Sequence, residues 1–350
     1  MKVFWDVFLL FSRFLESDFS VAMLAVLFLA LIVLRRRVSL LMALLLLLLL
    51  LPSLKLAYAD ARPCVFAPGL VACPNEFGLP SGHAASFGLF AIAAVGSWWF
   101  FPFALLALAV AYSRIFIGVH SIPQVGAGIA LAALLYVIGL SFRHRFHKPV
   151  HFGGAWKTTR LKKRQELSRK AVHMVLGTLI VLLGVLFGRD ALIVFLSVAL
   201  AGLFAVATLL MKGWRLPLLS RVFDEFERDV DLPGKGAMYF VIGSLLVSSF
   251  SQNFGYALAA IAILALGDGF ATIVGKLFGR ARVAWNKAKS WEGTIAFAVA
   301  GALAGYVFIG LAAVPLSLVL AFAETLPLDV DDNLLIPFVA LLLEFMVRVL

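Results

Sequence analysis

Residues 38–54 read VSLLMALLLLLLLLPSL, an uncharged run that lies between Arg37 and Lys55. An α-helix needs roughly 20 predominantly apolar residues to cross the hydrocarbon core of a bilayer, with a lower limit of about 17. The whole chain has the same character, because 63% of its 350 residues are hydrophobic and only 14% are charged. Soluble domains are about 25% charged. We therefore predict an integral membrane protein and exclude an ordinary soluble globular one.

Apolar stretches of similar length recur about a dozen times along the chain, and they predict an all-α fold. We expect a polytopic helical bundle of two modules with about 12 to 13 transmembrane helices. The predicted helices are 19–34, 38–54, 84–101, 103–119, 124–141, 171–187, 191–210, 237–251, 256–275, 293–311, 314–326 and 334–350. The opening segment, residues 2–16, contains Asp6, Arg13 and Glu16. It is either a first span or a helix lying in the membrane interface.

The basic residues predict the orientation of these spans. The chain has 30 Lys and Arg against 19 Asp and Glu, a formal net charge of +11. Cytoplasmic loops carry the excess of Lys and Arg. The segment 143–170 contains ten basic residues and the single acid Glu166, and the number of predicted helices between it and the arginines at 35–37 puts both segments on the same side of the membrane. This assignment places 23 of the 30 basic residues inside. We interpret them as topology signals and contacts to anionic membrane lipids, and expect no nucleic acid partner.

The basic interval also predicts a boundary between two domains. It contains Pro149, Gly153 and Gly154, and the polar motifs on its two sides differ. We predict a membrane domain at 1–145, a basic cytoplasmic linker at 146–165 and a second membrane domain at 166–350.

The polar residues of the first half form an ordered pattern on the predicted outer side. Its members are Lys55, Arg62, Ser81, Gly82, His83, Ser113, Arg114 and His120. One lysine and two arginines can surround a phosphate group, and a serine and glycine at a helix start add donors of the kind that bind anions. Two histidines complete a hydrolytic pair, in which one attacks phosphorus and the other protonates the leaving oxygen.

These motifs resemble the type 2 phosphatidic acid phosphatase superfamily, whose signature reads Lys, six residues, Arg-Pro; Pro-Ser-Gly-His; and Ser-Arg, five residues, His, three residues, Asp. The resemblance covers roughly residues 50–140. It implies that His120 is the nucleophile that forms a phosphohistidine and that His83 is the general acid. It also implies a phosphate cradle made of Lys55, Arg62, Ser81, Gly82, Ser113 and Arg114.

The chain departs from this signature at its last position, where Gln124 stands in place of Asp. A glutamine accepts the hydrogen bond of the histidine but supplies no negative charge, and loss of such a carboxylate costs on the order of 10⁴ in rate in the serine proteases. Asp60, in the preceding loop, is a candidate substitute. Two alternatives stay open at this stage: a lipid phosphatase, and a module that only binds or transports lipid phosphates.

Cys64 and Cys73, the two cysteines of the chain, lie in the same predicted outer loop. They either form a disulfide bond in an oxidising compartment or are two unpaired small apolar residues.

The second half has its informative polar residues on the predicted inner side. Asp268 is followed by Ala271, Gly275 and Gly279 at spacings of three, four and four, so the small residues share one helix face. Such faces alone are usually packing surfaces. A Lys-Ser-Trp-Glu-Gly sequence at 289–293 then opens another helix. A carboxylate, a lysine and a helix N-terminus together suit a metal-bound polyphosphate.

This half resembles the dolichol and polyprenol kinase family over about residues 166–345. The residues that match the family's nucleotide signature are Asp268, Ala271, Gly275, Gly279, Lys289, Ser290, Glu292 and Gly293, with Ser290 in place of Thr and Ala288 in place of a first Lys. Further matching positions are Glu166, Arg169, Lys170, His173, Glu324, Asp331, Asp332 and Asn333.

The resemblance implies transfer of the γ-phosphate of CTP to a polyprenol or dolichol, with Mg²⁺ as cofactor. We assign Asp268 and Asp332 to the metal, Lys289 to phosphate, and Glu292 or Glu324 to positioning or deprotonating the alcohol. A CDP-lipid synthase, which releases pyrophosphate, and a phytol-type kinase are the alternatives. We expect the kinase on the cytoplasmic face and the phosphatase-like module outside, acting on a polyprenyl mono- or diphosphate and recycling the lipid carrier.

Overall fold

The computed structural model describes residues 2–14, 38–67, 69–146, 163–214, 232–328 and 330–349. The predicted helix 19–34, the triple-arginine cluster 35–37, most of the basic linker 146–165 and the loop residues 215–231 lie outside this part of the chain. The chain divides into two compact units. The first consists of Met1–Phe152 and Phe204–Gly213, and the second of Gly153–Leu203 and Trp214–Leu350.

The described residues are almost entirely helical, and they contain one isolated β-bridge, between Arg282 and Ser290. The helices up to residue 146 are α1 (Lys2–Phe14), α2 (Val38–Tyr58), the single turn α3 (Pro63–Phe66), α4 (Gly82–Ala93), α5 (Phe100–Phe116) and α6 (Ile122–Phe146). The helices that follow are α7 (Lys163–Met211), α8 (Lys235–Phe250), α9 (Phe254–Ala262), α10 (Asp268–Leu277), α11 (Trp291–Ile309), α12 (Ala313–Thr325) and α13 (Asp332–Val349).

Five helical segments among the described residues are long and apolar enough to cross a bilayer: Met42–Phe66, Ile122–Gly139, Glu166–Met211, Phe254–Leu277 and Trp291–Thr325. Two of them have 46 and 35 residues, more than the roughly 20 that one span needs. Each contains a glycine with positive φ, Gly188 at 82° and Gly310 at 59°. The prediction of an all-α, polytopic integral membrane protein is confirmed.

Several helix bounds differ from those predicted. The predicted helices 171–187 and 191–210 form one element with a break at Gly188. The predicted helix 84–101 ends at Ala93, because the chain turns through Gly96 at a φ of 80°. Helix α1 has 13 residues, and its Trp5 ring stacks on Phe116 of α5 with a centroid distance of 5.1 Å.

In the first unit, α4 packs against α2, α5 and α6. A buried cluster of Ala84, Ala111 and Val125 joins the start of α4, the last turns of α5 and the start of α6. Ser81 caps α4, since its side chain accepts a hydrogen bond from the Ala84 amide. This packing brings the three helix ends that carry the predicted histidine motifs to one place.

In the second unit, α11 packs against α9, α10 and α12, while α8 packs against α13. Residues Ile263–Gly267 form a π-helical turn between α9 and α10. Such turns insert one residue into a helix and are frequent at functional sites. Here the turn ends directly before Asp268, at the first position of α10.

Candidate functional sites

The first site lies where α4, α5 and α6 meet. Arg62 and His120 are buried, and the guanidinium Nη1 of Arg62 lies 3.0 Å from Nε2 of His120. Arginine has only donors, so Nε2 must accept and the imidazole proton lies on Nδ1. Nδ1 in turn lies 3.1 Å from Oε1 of Gln124. The lone pair of Nε2 is therefore on the side of the predicted phosphate ligand Arg62, as a nucleophile requires.

Gln124 connects His120 to an aspartate. Its Nε2 donates to Oδ2 of Asp60 at 2.8 Å and to the carbonyl oxygen of Ala61 at 2.9 Å. The backbone amide of Ser121 donates to Oε1 at 3.2 Å, which fixes the orientation of the glutamine amide. A carboxylate is thus present near His120 although position 124 is a glutamine, and it is linked to the histidine through the Gln124 side chain.

Burial and the charges around His120 favour its neutral imidazole. Burial and the neighbouring Arg62 guanidinium hold the pKa of His120 well below its usual range, and the charge of His83 acts in the same direction. A neutral imidazole has the free lone pair that attack on phosphorus needs. His83, the predicted general acid, is partly buried at the start of α4.

The remaining cradle residues have partners of their own. Lys55 forms an ion pair with Glu76, and this contact lowers the pKa of the Glu76 carboxyl group. Arg62 Nε donates to the backbone carbonyl of Glu76 at 2.8 Å. A phosphate group that enters the site competes with Glu76 for the Lys55 ammonium.

Ser113 and Arg114 are completely buried. Arg114 donates through Nε to the Ser113 hydroxyl at 3.1 Å and through Nη2 to the Ser12 carbonyl oxygen at 2.7 Å. The Arg114 carbonyl oxygen accepts from the amide of His120 at 3.1 Å. These hydrogen bonds position the backbone of the histidine motif. Direct phosphate binding by Ser113 and Arg114 stays a prediction, and the same holds for Ser81 and Gly82.

The cysteine pair is a disulfide bond between Cys64 and Cys73, so the first of the two sequence interpretations holds. Within the loop that it closes, the amide of Leu70 donates to the carbonyl oxygen of Ile117 at 3.0 Å. Gly69 lies so close to the same oxygen that an added Cβ would approach it to 2.6 Å. The loop is therefore fastened to the turn that carries His120.

We expect the double substitution Cys64→Ser and Cys73→Ser to lower the free energy of unfolding of the first unit by about 2 to 3 kcal/mol, because the unfolded chain regains the entropy of a short closed loop. Thermal unfolding in detergent measures this. Reductant should bring the wild-type protein to the stability of the variant and leave the variant unchanged. Equal stability of the two proteins without reductant would contradict the expectation.

The second site is a group of three carboxylates, here called the acid cluster: Asp268 of α10, Glu324 of α12 and Asp332 of α13. One oxygen of each lies within 4.8 Å of those of the other two. Asp268 and Glu324 are buried, with 1% and 3% of their surface exposed. Carboxylate oxygens at this spacing are the ligand type that Mg²⁺ takes in phosphoryl-transfer sites. The donor set therefore fits the expected metal.

Two lysines flank the acid cluster. Lys170 Nζ pairs with Asp268, and Lys289 Nζ pairs with Glu324 and, at 3.0 Å, with Asp332. Asp332 and Glu324 raise the pKa of Lys289 despite its burial, so its ammonium stays charged. Three carboxylates against two ammonium groups leave an excess of one negative charge. A polyphosphate brought here needs a divalent cation to offset this charge.

Other residues with predicted roles complete or frame this site. His173 Nε2 lies 3.7 Å from Oδ2 of Asp268. Arg169 donates to Glu166 at 2.9 Å. Asp331 accepts from the amide of Asn333 at 3.0 Å and so caps α13, while the side-chain oxygen of Asn333 is buried without a hydrogen-bond partner among the described residues.

The small residues Ala271 and Gly275 of α10 lie against the start of α11, whereas Gly279, predicted on the same helix face, lies beyond the end of α10 at Leu277. An added Cβ would approach the Ser290 hydroxyl to 3.2 Å at Gly275 and to 2.6 Å at Gly279. At Gly293 it would approach the carbonyl oxygen of Ala271 to 2.8 Å. This close crossing brings Asp268 and Lys289 to one site, whereas direct contact of these small residues with a nucleotide stays a prediction.

Glu292 holds the loop between these helices. Its Oε1 accepts from the backbone amides of Arg280 and Ala281 at 2.9 and 3.0 Å. Its Oε2 is buried without a hydrogen-bond partner among the described residues. The predicted role of Glu292 toward the alcohol is untested, and its observed contacts position the Lys289 loop.

Sequence reasoning left three contacts unassigned. The first is the contact of Asp60 with Gln124, the partner of His120; Asp60 and Gln124 lie 64 positions apart in the sequence. The sequence motifs give Lys170 no partner and assign Glu324 to the alcohol, whereas the structure brings both to the acid cluster. The available signal for Lys170 was its spacing of three from His173, which puts both side chains on one helix face.

Comparison with known proteins gives one matching family model and several similar kinases. The PAP2 superfamily matches residues 36–148. The chain is 31% identical over 212 residues to a probable chloroplastic phytol kinase 1 of Oryza sativa subsp. japonica, covering 54% of this chain and 67% of the relative. It is 30% identical over 206 residues to a chloroplastic farnesol kinase of Arabidopsis thaliana, covering 52% and 66%. An uncharacterized protein of Methanocaldococcus jannaschii is 29% identical over 177 residues, covering 50% and 90%.

The chain spans 62 to 76% of the length of the plant kinases that it matches. No solved structure matches it. The chain belongs to the phytol and farnesol kinase family, which is of the polyprenol kinase type, and it carries a PAP2 superfamily domain in its N-terminal part. Both resemblances expected from the sequence motifs are confirmed.

Proposed function

We propose that the second unit transfers the γ-phosphate of CTP to the hydroxyl of an isoprenoid alcohol at the cytoplasmic face. The observation that carries this proposal is the convergence of the acid cluster with Lys170 and Lys289. Phosphoryl transfer needs placement and charge neutralisation more than a strong base. The kinase relatives, named for phytol and farnesol, support an isoprenoid acceptor.

In this proposal the acid cluster holds Mg²⁺, which would neutralise charge on the transferred phosphoryl group. Lys289 stays charged and binds phosphate oxygens, as does Lys170. Both lysines exchange a carboxylate partner for a phosphate when the substrate binds. The exposed apolar side chains Val172, Val175 and Leu176, one helical turn or less from His173, give the alcohol chain a surface within the membrane.

We further propose that the first unit hydrolyses isoprenoid phosphates or diphosphates on the opposite face. The neutral His120 with its Nε2 directed toward Arg62 supports this reaction. One chain would then phosphorylate a lipid carrier inside and dephosphorylate it outside, with polyprenol or dolichol as the shared lipid. This link fails if the purified protein acts on unrelated lipids at its two sites.

The kinase proposal is tested with γ-labelled CTP and an isoprenoid alcohol in proteoliposomes containing the full chain and Mg²⁺. We expect label on the lipid. Label in released pyrophosphate would instead show cytidylyl transfer by a CDP-lipid synthase. Competition among farnesol, phytol and longer polyprenols then measures the preferred chain length. Right-side-out and inverted vesicles, with CTP added outside, report which face carries the kinase site.

A further inference from the structure

We propose that Asp60 is a positioning residue of the phosphatase module that acts on His120 through the amide of Gln124. This inference rests on the proposed phosphatase function and deepens it. The three side chains form a continuous chain of contacts, 3.1 Å from the imidazole Nδ1 to Gln124 and 2.8 Å from Gln124 to the carboxylate. His120 and Gln124 are buried, with 3% and 1% of their surface exposed.

The surrounding backbone holds this chain of contacts in one arrangement. Ala59 has a φ of 47°, a left-handed conformation that non-glycine residues rarely adopt. This turn follows α2 directly and precedes Asp60, whose carbonyl oxygen accepts from the amide of Gly78 at 2.8 Å. An added Cβ at Gly78 would approach the Gln124 side chain to 2.4 Å. Gly78 thus leaves the space that the longer glutamine needs.

The chemistry explains what a carboxylate achieves at this distance. When Nε2 of His120 attacks phosphorus, a nitrogen–phosphorus bond forms, the ester oxygen–phosphorus bond breaks, and the leaving oxygen takes a proton from His83. The phosphorylated imidazole then carries positive charge at Nδ1–H. Gln124 accepts that hydrogen bond, and the half-buried Asp60 polarises the amide, because a charged acceptor strengthens the hydrogen bond next to it.

The second half of the reaction uses the same contacts. Water attacks phosphorus and gives a proton to His83, the nitrogen–phosphorus bond breaks, and the electron pair returns to Nε2. Throughout, the proton stays on Nδ1, since Gln124 presents its oxygen to that atom and is held so by Ser121 and Asp60. The pair therefore supplies the tautomer and part of the charge that one aspartate supplies elsewhere.

The first test is Asp60→Asn, which keeps an oxygen that accepts from Gln124 but removes the charge. We expect kcat for phosphate release to fall about 10-fold to 100-fold with KM unchanged, the range found when the outer hydrogen-bond partner of a metal-ligating histidine is removed. Asp6→Asn, the same change at an exposed acid of the same unit, is the matched control and should leave kcat unchanged. An unaltered kcat in Asp60→Asn overturns the inference while the phosphatase proposal stands.

The second test is an exchange of the two groups. Gln124→Asp alone removes the donor to Asp60 and places two carboxylates next to each other, so we expect it to lower kcat. Adding Asp60→Asn restores a donor and acceptor pair, and the double variant should exceed both single variants. The inference would be overturned if Gln124→Asp alone raised kcat and the double variant had the same kcat as Gln124→Asp.

A readout without turnover separates the two proposals. In protein labelled with ¹⁵N-histidine, the His120 signals, assigned by their loss in His120→Ala, should show the Nδ1–H tautomer. In Asp60→Ala the Nδ1–H signals should move to the values of a weaker hydrogen bond to Gln124, while the Arg62 donor at Nε2 still keeps the proton on Nδ1. If wild-type protein releases no phosphate, the phosphatase proposal fails. The influence of Asp60 on His120 is then decided by the Nδ1–H signals alone, and signals unchanged in Asp60→Ala overturn the inference.

Discussion

Asp268→Asn is expected to reduce phosphorylation of the isoprenoid alcohol on the order of 10³-fold, measured as transfer of label from γ-labelled CTP. Asp268 is buried in the acid cluster and pairs with the Lys170 ammonium, and in the proposed function its negative charge would also hold Mg²⁺. Asparagine has nearly the same shape but no charge. Phosphate release by the first unit of the same protein should be unchanged and serves as an internal control for insertion and folding.

The loss of one partner from a buried ion pair can destabilise a protein by about 3 to 5 kcal/mol, so a second variant separates folding from catalysis. Asp268→Asn combined with Lys170→Met removes both charges of the pair and should regain thermal stability without regaining kinase activity. Asp190→Asn, at an exposed acid of the same unit, is the matched control. Kinase activity of Asp268→Asn within a few-fold of wild type would contradict the role of the acid cluster.

His120→Asn is expected to reduce phosphate release from an isoprenoid phosphate by on the order of 10³-fold or more, because it removes the atom that, in the proposed reaction, forms the covalent bond to phosphorus. Acid-labile label on the wild-type protein, formed from a ³²P-labelled lipid phosphate and absent from the variant, identifies the phosphohistidine. Kinase activity of the second unit should be unchanged. Covalent label that persists in His120→Asn would assign the nucleophile to another residue.

The choice of leaving group distinguishes the two histidines. A nitrophenolate leaves without a proton, so with nitrophenyl phosphate His83→Asn should lose much less activity than with a lipid phosphate. His120→Asn should lose its activity with both substrates. Equal losses in His83→Asn for the two leaving groups would argue against its role as the general acid.

Much of the fold could be predicted from apolar stretches alone, because a segment that crosses the membrane must make its backbone hydrogen bonds within itself, as an α-helix does. The bounds of α13 were close, since the Asp-Asp-Asn sequence at 331–333 marks a helix start. The end of α4 at Ala93 was missed because the residues that follow, including Trp98 and Trp99, are as apolar as a helix interior. A hydropathy profile does not show a turn such as that at Gly96 when the residues around it are apolar.

The sites divide in the same way. Spacing predicted that Arg62 and His120 belong together, and the structure brings them to 3.0 Å. It did not assign Lys170 to Asp268, which lies 98 residues away, since such a pairing follows from how α7 and α10 pack. The sequence shows that Gln124 stands where the signature has Asp, but it does not show that Gln124 contacts Asp60. That contact depends on the backbone turn at Ala59.

The π-helical turn at Ile263–Gly267 acts as an angular spacer within one span. Each residue of a regular helix advances the side chain by about 100° around the axis and by only 1.5 Å along it. A chain lacking one residue of this turn would cross the membrane almost unchanged in length, yet Asp268 would face away from Glu324 and Asp332. The acid cluster therefore depends on the phase of a helix rather than on its length.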